Sequence, residues 1–168
     1  MTAYQAGSMA AFEALYASLA PALLAYLTAL ARDRTMAQDL LQETFLQIHR
    51  SRRAYRPGLP VRPWAFTIAR HVWLMDCRQR RRRPRPDGDL PELPVPAEVE
   101  ALAERDGLRR ALEAMLPDRR EAVLLHHVWG FSFAEIGQML GIRPEAAKLR
   151  SSRGMGDLRR VLMESPRG

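Results

Sequence analysis

The chain has 168 residues, of which 47% are hydrophobic, and its formal net charge is +7. This length fits one ordinary domain or two small ones, and the apolar share is enough to bury a core, which excludes disorder throughout the chain. The positive charge indicates an anionic partner such as nucleic acid, an acidic membrane face or an acidic protein surface, and the single cysteine, Cys77, excludes an intramolecular disulfide.

The first apolar segment, residues 14–31, lacks charge and is just long enough to span a bilayer. It contains Pro21, and its large apolar residues recur at three- and four-residue steps, which predicts instead a soluble helix over about residues 9–31 with one buried stripe. No signal peptide is expected, because the preceding residues lack a basic region. We therefore expect a cytoplasmic protein that is not embedded in a membrane. The predicted stripe consists of Phe12, Leu15, Leu19, Leu23, Leu27 and Leu30.

A second helix is predicted over about residues 35–53, with one apolar and one acidic face. Carboxylates are poor partners for DNA, so an acidic face inside a strongly basic module is expected to bind a basic protein surface. The alternative is an ordinary solvated face. The predicted buried residues are Leu40, Leu41, Phe45 and Ile48, and the residues on or near the opposite face are Asp39, Gln42, Glu43 and Gln47.

A proline-rich loop, "AYRPGLPVRP", precedes a third predicted helix over about residues 64–80, which ends in a run of arginines. Tyr55 and Trp64 bracket this loop. Aromatic rings beside cations are suited to stacking on unpaired bases, and Arg70, His71 and the arginine run can contact phosphates. For Trp64 the alternative is packing in the core.

Charge divides the chain into three parts. Residues 1–83 contain 13 Arg against 5 acids (net +8), and residues 84–107 contain 2 Arg against 7 acids (net −5). Residues 108–168 contain 11 Lys or Arg against 7 acids (net +4). The middle part is rich in proline and predicts a flexible acidic linker. No strand pattern appears, so the sequence predicts an all-α protein of two small helical domains joined by this linker.

The second basic module has the pattern of a helix-turn-helix. Pro117 can begin a helix and Gly130 can end one. After these, Ser132 and Glu135 have the spacing of a capping box, Gly141 suits a left-handed turn, and Pro144 can begin the second helix.

That second helix carries Lys148, Arg150 and Arg153 in its first three turns, where a recognition helix contacts bases and phosphates. The alternative is a solvated basic face. Gly154 and Gly156 each cost roughly 1 kcal/mol relative to alanine inside a helix, so the helix is predicted to fray without DNA or a partner.

Four segments in this order resemble the successive regions of bacterial sigma factors of the extracytoplasmic-function type. They are "AFEALYASLAPALLAYL", "AQDLLQETFLQI", "RPGLPVRPWAFTIARHVWLMD" and "LEAMLPDRREAVLLHHVWGFSFAEIGQMLGI". The similarity covers roughly residues 9–163. It implies a region 2 domain at 9–83, a linker at 84–107 and a region 4 helix-turn-helix domain at 108–163. The implied function is to bind core RNA polymerase and direct promoter-specific initiation, under the control of an anti-sigma factor.

The resemblance also implies roles for individual residues. The acidic helix would bind core polymerase, the loop and third helix would bind the opened minus-ten strand, and the recognition helix would bind the minus-thirty-five duplex. The linker would run through the polymerase between the two DNA contacts. The implied polymerase-binding residues are Asp39, Gln42 and Glu43; the minus-ten residues are Tyr55, Arg62, Trp64, Arg70 and His71; the minus-thirty-five residues are Lys148, Arg150 and Arg153.

Four positions depart from the pattern expected of this family. Arg56 stands where an aspartate is common and Leu59 where a basic residue is common, so the loop is expected to prefer a different minus-ten base. His49 replaces a frequent tryptophan, and Ser151 occupies a position where an apolar residue is expected.

No enzyme, cofactor or metal is predicted. The sequence lacks a glycine-rich phosphate loop, and His126 and His127, adjacent on a helix, are expected to point to different faces. A metal site at Cys77 with His71 is not expected. Two alternatives remain: a stand-alone helix-turn-helix regulator that binds palindromic duplex without polymerase, and a basic RNA-binding protein that would tolerate loss of Asp39 and Glu43.

Overall fold

A computed structural model describes residues 1–82 and 106–164, so the predicted linker lies outside the described residues except for its last two positions, which are helical. The described residues form helices and no strand, which confirms the all-α prediction. The chain divides into two compact units, Met1–Pro96 and Ala97–Gly168.

The N-terminal unit is built on three helices that pack pairwise. Ser8 accepts a hydrogen bond from the Ala11 N–H at the start of the first long helix, and Asp33 accepts one from the Met36 N–H at 3.0 Å at the start of the second. The described elements are α1 (Thr2–Gln5), α2 (Met9–Ala31), α3 (Arg34–Ser51), a 3-10 turn (Arg52–Ala54) and α4 (Val61–Arg82).

Helix α2 supplies much of this core, as its periodicity predicted. Leu19, Leu23 and Leu27 are buried, whereas the other three members of the predicted stripe are half-buried. Tyr26 is also buried, with its ring centroid 5.0 Å from that of Phe66 on α4. By length and composition α2 could cross a bilayer, but the core helix of a soluble protein passes the same test.

Helix α4 begins at Val61, three residues earlier than predicted, and includes Pro63 in its first turn. Proline is tolerated there because the N–H groups of a first turn have no partner inside the helix. The prediction stopped at the proline-rich loop and so missed this turn.

The C-terminal unit contains the predicted helix-turn-helix. The Ser132 hydroxyl accepts from the Glu135 N–H at 3.3 Å, the Glu135 carboxylate accepts from the Ser132 N–H at 2.8 Å, and Gly141 has φ 67°. These geometries confirm the capping box and the left-handed turn. The elements are α5 (Asp106–Ala114), α6 (Pro117–Val123), a π-helical turn (Leu124–Val128), α7 (Phe133–Leu140) and α8 (Pro144–Glu164).

Helix α8 runs without interruption through both of its glycines. A Cβ at Gly154 would lie 2.6 Å from Val123 Cγ2 and 3.2 Å from the Arg119 carbonyl oxygen on α6. Gly154 therefore permits the close approach of α6 and α8. Ser151, where an apolar residue was expected, lies three residues before Gly154 on α8 and is 2% exposed.

Candidate nucleic-acid and protein interfaces

The two faces of α3 are arranged as predicted. All four predicted core residues are buried, and Asp39 and Gln42 are exposed on the other side. Glu43 keeps 44% of its side-chain surface exposed; its carboxylate accepts from Gln47 Nε2 at 2.6 Å and lies 3.7 Å from an Arg50 guanidinium nitrogen. Asp39 and Glu43 are one helical turn apart, so their carboxylates form one acidic patch.

The loop before α4 buries Tyr55, one of the residues predicted to contact DNA. Tyr55 is only 5% exposed: its ring centroid lies 5.1 Å from that of Trp64, and its hydroxyl donates to the Leu59 carbonyl oxygen. Arg56 and Leu59 are exposed at the tip, where Gly58 has φ 89°. The structure thus brings Tyr55 and Trp64 together as an internal support of the loop.

Along α4 the predicted DNA-binding residues differ in exposure. Arg62 and His71 are exposed, and Arg70 and Trp64 are half-buried. The Arg62 guanidinium carbon lies 5.8 Å from the centre of the buried Phe66 ring, which places the cation over an aromatic face. Trp64 and His71, seven residues apart, lie on the same side of the helix. The exposed arginines at the end of the helix are Arg78, Arg80, Arg81 and Arg82.

On α8 the three predicted cations do not have equal access to solvent. Lys148 and Arg153 are exposed, whereas Arg150 keeps 35% of its side-chain surface exposed and lies 3.5 Å from Asp118 of α6. Leu149, which the sequence prediction missed, is 49% exposed and points away from the buried Ala147. The sequence did contain a signal for Leu149, because it is an apolar residue between two cations on the predicted recognition helix. Apolar side chains in this position can contact thymine methyl groups.

Two histidines that were expected to diverge are in contact. Both residues belong to the π-helical turn, and their ring centroids are 4.8 Å apart in a T-shaped arrangement. His126 also stacks on Phe133 at 4.2 Å, and its Nδ1 lies 2.9 Å from the Phe131 carbonyl oxygen. Burial, and secondarily the neighbouring His126, lowers the pKa of His127. The stacking of His126 on Phe133 connects the π-helical turn to the start of α7.

The described residues contain no group of three or more side chains suited to hold a metal ion. Cys77 is half-buried, and burial, followed by the Asp76 carboxylate, raises the pKa of its thiol. A raised pKa disfavours the thiolate, the form that binds metals and attacks substrates.

Comparison with known proteins identifies the family. The sequence profile of Sigma-70 region 2 matches residues 15–83, and that of Sigma-70 region 4 matches residues 105–158. RNA polymerase sigma factor CarQ of Myxococcus xanthus is 40% identical over 98% of this chain and 96% of its own length. The chain belongs to the sigma-70 family. It is a sigma factor of the extracytoplasmic-function type, as the sequence motifs predicted.

Further similarities agree with this assignment. The sigma factor is 31% identical to the extracytoplasmic-function sigma factor EcfG of Rhodopseudomonas palustris, over 84% of this chain and 80% of that one. The structure of sigma factor RpoE in complex with the anti-sigma factor NepR from Bartonella quintana matches with a TM-score of 0.72 at 23% identity, covering 92% of this chain and 98% of that one. The structural likeness shows a shared fold.

Proposed function

We propose that this sigma factor contacts its partners through three surfaces, each on a different element. The acidic face of α3 binds core RNA polymerase. The loop at 55–60, together with α4, binds the opened minus-ten strand, and α8 binds the minus-thirty-five duplex. In these terms the domains are region 2 at 9–83 and region 4 at 108–163, joined by the linker at 84–107. The sigma factor acts in the cytoplasm. It needs no cofactor of its own, because the polymerase performs the chemistry.

The exposure of Asp39 and Glu43 is the observation that carries this proposal. Residues 1–83 have a net charge of +8, so two exposed acids on one face of α3 would lower the affinity of that face for DNA. The same acids favour a basic protein surface. Because the chain belongs to the sigma-70 family, we take core RNA polymerase to be this protein partner.

The minus-ten assignment relies on the basic surface of α4. Arg62 and His71 are exposed, and the arginines at the end of the helix can neutralise phosphates. Tyr55, also proposed for this strand, contributes by supporting the loop, since its ring is buried. The exposed Arg56 and Leu59 are then the loop residues closest to the bases.

The minus-thirty-five assignment relies on α8 as the second helix of the helix-turn-helix. Lys148 and Arg153 are exposed for phosphate or base contacts. Arg150 must exchange its contact with Asp118 for a contact with DNA. Because a surface ion pair of this kind contributes little to stability, this exchange costs little.

An anti-sigma factor is proposed to control the sigma factor. A structurally similar sigma factor, RpoE, was solved in complex with the anti-sigma factor NepR. An inhibitor of this kind would cover the polymerase- and promoter-binding surfaces until a signal releases it.

The decisive experiment titrates core RNA polymerase with wild-type protein and with an Asp39→Ala, Glu43→Ala double variant, and follows complex formation by size exclusion. Glu13→Ala, which removes an exposed acid from α2 of the same unit, is the matched control. Wild type and control should bind tightly, and the double variant should lose binding. If the double variant binds like wild type, the acidic face is not the polymerase contact. Duplex binding by wild type with no affinity for polymerase would favour the stand-alone regulator.

A further inference from the structure

Helix α1 lies before the segment that matches region 2, yet its side chains contact the end of α3 and the turn that follows. Tyr4 is 3% exposed, with its ring centroid 5.2 Å from that of Phe12. Its hydroxyl is hydrogen-bonded to Nδ1 of His49 at 2.6 Å. His49 stands at the position where a tryptophan was expected.

Gln5 makes the contact closest to the promoter-binding loop. Its side-chain amide nitrogen, Nε2, donates to the carbonyl oxygens of Arg52 at 2.7 Å and of Tyr55 at 2.8 Å. Arg52 is the first residue of the 3-10 turn and Tyr55 directly follows the turn, so a single amide group is bonded to both of its ends. The amide has two N–H bonds, and both are used.

Tyr55 extends this restraint into the loop. Its carbonyl accepts from Gln5, its hydroxyl donates to the Leu59 carbonyl, and its ring packs on Trp64 of α4. The exposed tip of the loop, which contains Arg56 and Gly58, lies between these fixed points. Few conformations of the tip are compatible with all of them, so base contacts made by the tip require less ordering on binding.

We infer that Gln5, supported by Tyr4, is a positioning residue for minus-ten recognition: it fixes the backbone at Arg52 and Tyr55 and thereby the shape of the loop at 55–60. This inference deepens the proposed function and rests on the proposed role of that loop. Gln5 itself does not touch DNA; it acts through hydrogen bonds to the two carbonyls.

The test compares wild type with Gln5→Ala, Gln5→Glu and Gln5→Lys in the polymerase holoenzyme. Each holoenzyme selects from a duplex library in which the minus-ten and minus-thirty-five windows are both randomised, and the bound DNA is sequenced. Gln5→Ala should reduce the preference between best and worst bases in the minus-ten window by about five- to tenfold, as the loss of two hydrogen bonds implies. The preference in the minus-thirty-five window, which serves as an internal control, should not change.

The other two variants separate hydrogen-bond donation from packing. Gln5→Glu cannot donate and places a carboxylate against two carbonyls, so it should lose at least as much preference as Gln5→Ala. Gln5→Lys can donate to both carbonyls and should restore much of it. Affinity for core polymerase and the thermal midpoint of each variant show whether the unit remains folded.

Three results would overturn the inference. They are an unchanged minus-ten preference in Gln5→Ala, a parallel loss in both windows, and equal behaviour of the Lys and Ala variants. A separate variant at the loop tip, Leu59→Ala, tests the proposed function itself, which is that the loop recognises the minus-ten element. If Leu59→Ala leaves the minus-ten preference unchanged, the loop is not the recognition element and the role of Gln5 is rejected with it. If Leu59→Ala changes the preference and Gln5→Ala does not, only the role of Gln5 is rejected.

Discussion

Gly154 and Gly156 lie two residues apart on α8 but in opposite surroundings. Gly154 is buried where α8 crosses α6, and the space that its missing Cβ would fill is already occupied by Val123 Cγ2 and the Arg119 carbonyl. Gly156 is exposed, with nothing within 4 Å of the same position. One glycine is therefore required by packing, whereas the other is only a cost to the helix.

Alanine substitutions should consequently have opposite effects. Gly154→Ala should lower the free energy of unfolding by about 1–3 kcal/mol, because the added methyl overpacks the interface between α6 and α8. Gly156→Ala should raise it by roughly 1 kcal/mol, because alanine restricts the unfolded chain and favours the helix. Chemical denaturation followed by circular dichroism measures both. Equal effects of the two substitutions would contradict the close packing at Gly154.

At the scale of the element, the capping box of α7 fixes where the helix-turn-helix begins. The Ser132 side chain and the Glu135 side chain each bond to the backbone N–H of the other residue. These bonds satisfy two N–H groups that have no partner inside the helix.

Ser132→Ala should therefore destabilise the C-terminal unit by about 1 kcal/mol, since an N-cap side chain is lost. The measurement is the thermal midpoint, with Ser152→Ala as the control, because Ser152 is an exposed serine in the interior of α8. The control should change stability by less than about 0.5 kcal/mol. A loss of similar size in both variants would show that the capping box is not the cause.

Local sequence patterns predicted the elements that local physics determines. The three-four periodicity of α2 and α3 and the cap residues of α7 and α8 involve residues within one or two turns of each other. The contacts of Gln5 and the packing at Gly154 join residues 31 to 50 positions apart in the chain. Hydrophobic periodicity contains no information on such contacts. Sequence patterns therefore singled out Tyr55 and Gly154 but did not predict which residues they contact.

At the scale of the whole molecule, the proposed interfaces lie in different units. The acidic face of α3 belongs to the N-terminal unit, and the recognition helix belongs to the C-terminal one. Each unit has its own buried core, with residues such as Leu23 and Phe66 in the first and Leu125 and Ile136 in the second. Substitutions on one exposed surface should therefore leave the other surface intact.

A Lys148→Ala, Arg153→Ala double variant tests this separation. Both side chains are exposed on α8, so the variant should bind core polymerase as wild type does. Its holoenzyme should bind promoter duplex less tightly, with the slope of log affinity against log salt reduced by about 1 for each lost phosphate contact. If one of the two residues contacts a base, sequence preference in the minus-thirty-five window should also fall, by roughly 1–3 kcal/mol at one position.

The complementary variant, Asp39→Ala with Glu43→Ala, should show the opposite loss: weak binding to polymerase with unchanged binding of free duplex by α8. Together the two double variants distinguish a sigma factor with separate contacts from a basic protein that binds nucleic acid over its whole surface. In the latter, loss of two cations would weaken every interaction with DNA equally, and loss of two acids would strengthen it through the net charge. Reduced polymerase binding by the Lys148, Arg153 variant would contradict the assignment of the two functions to separate units.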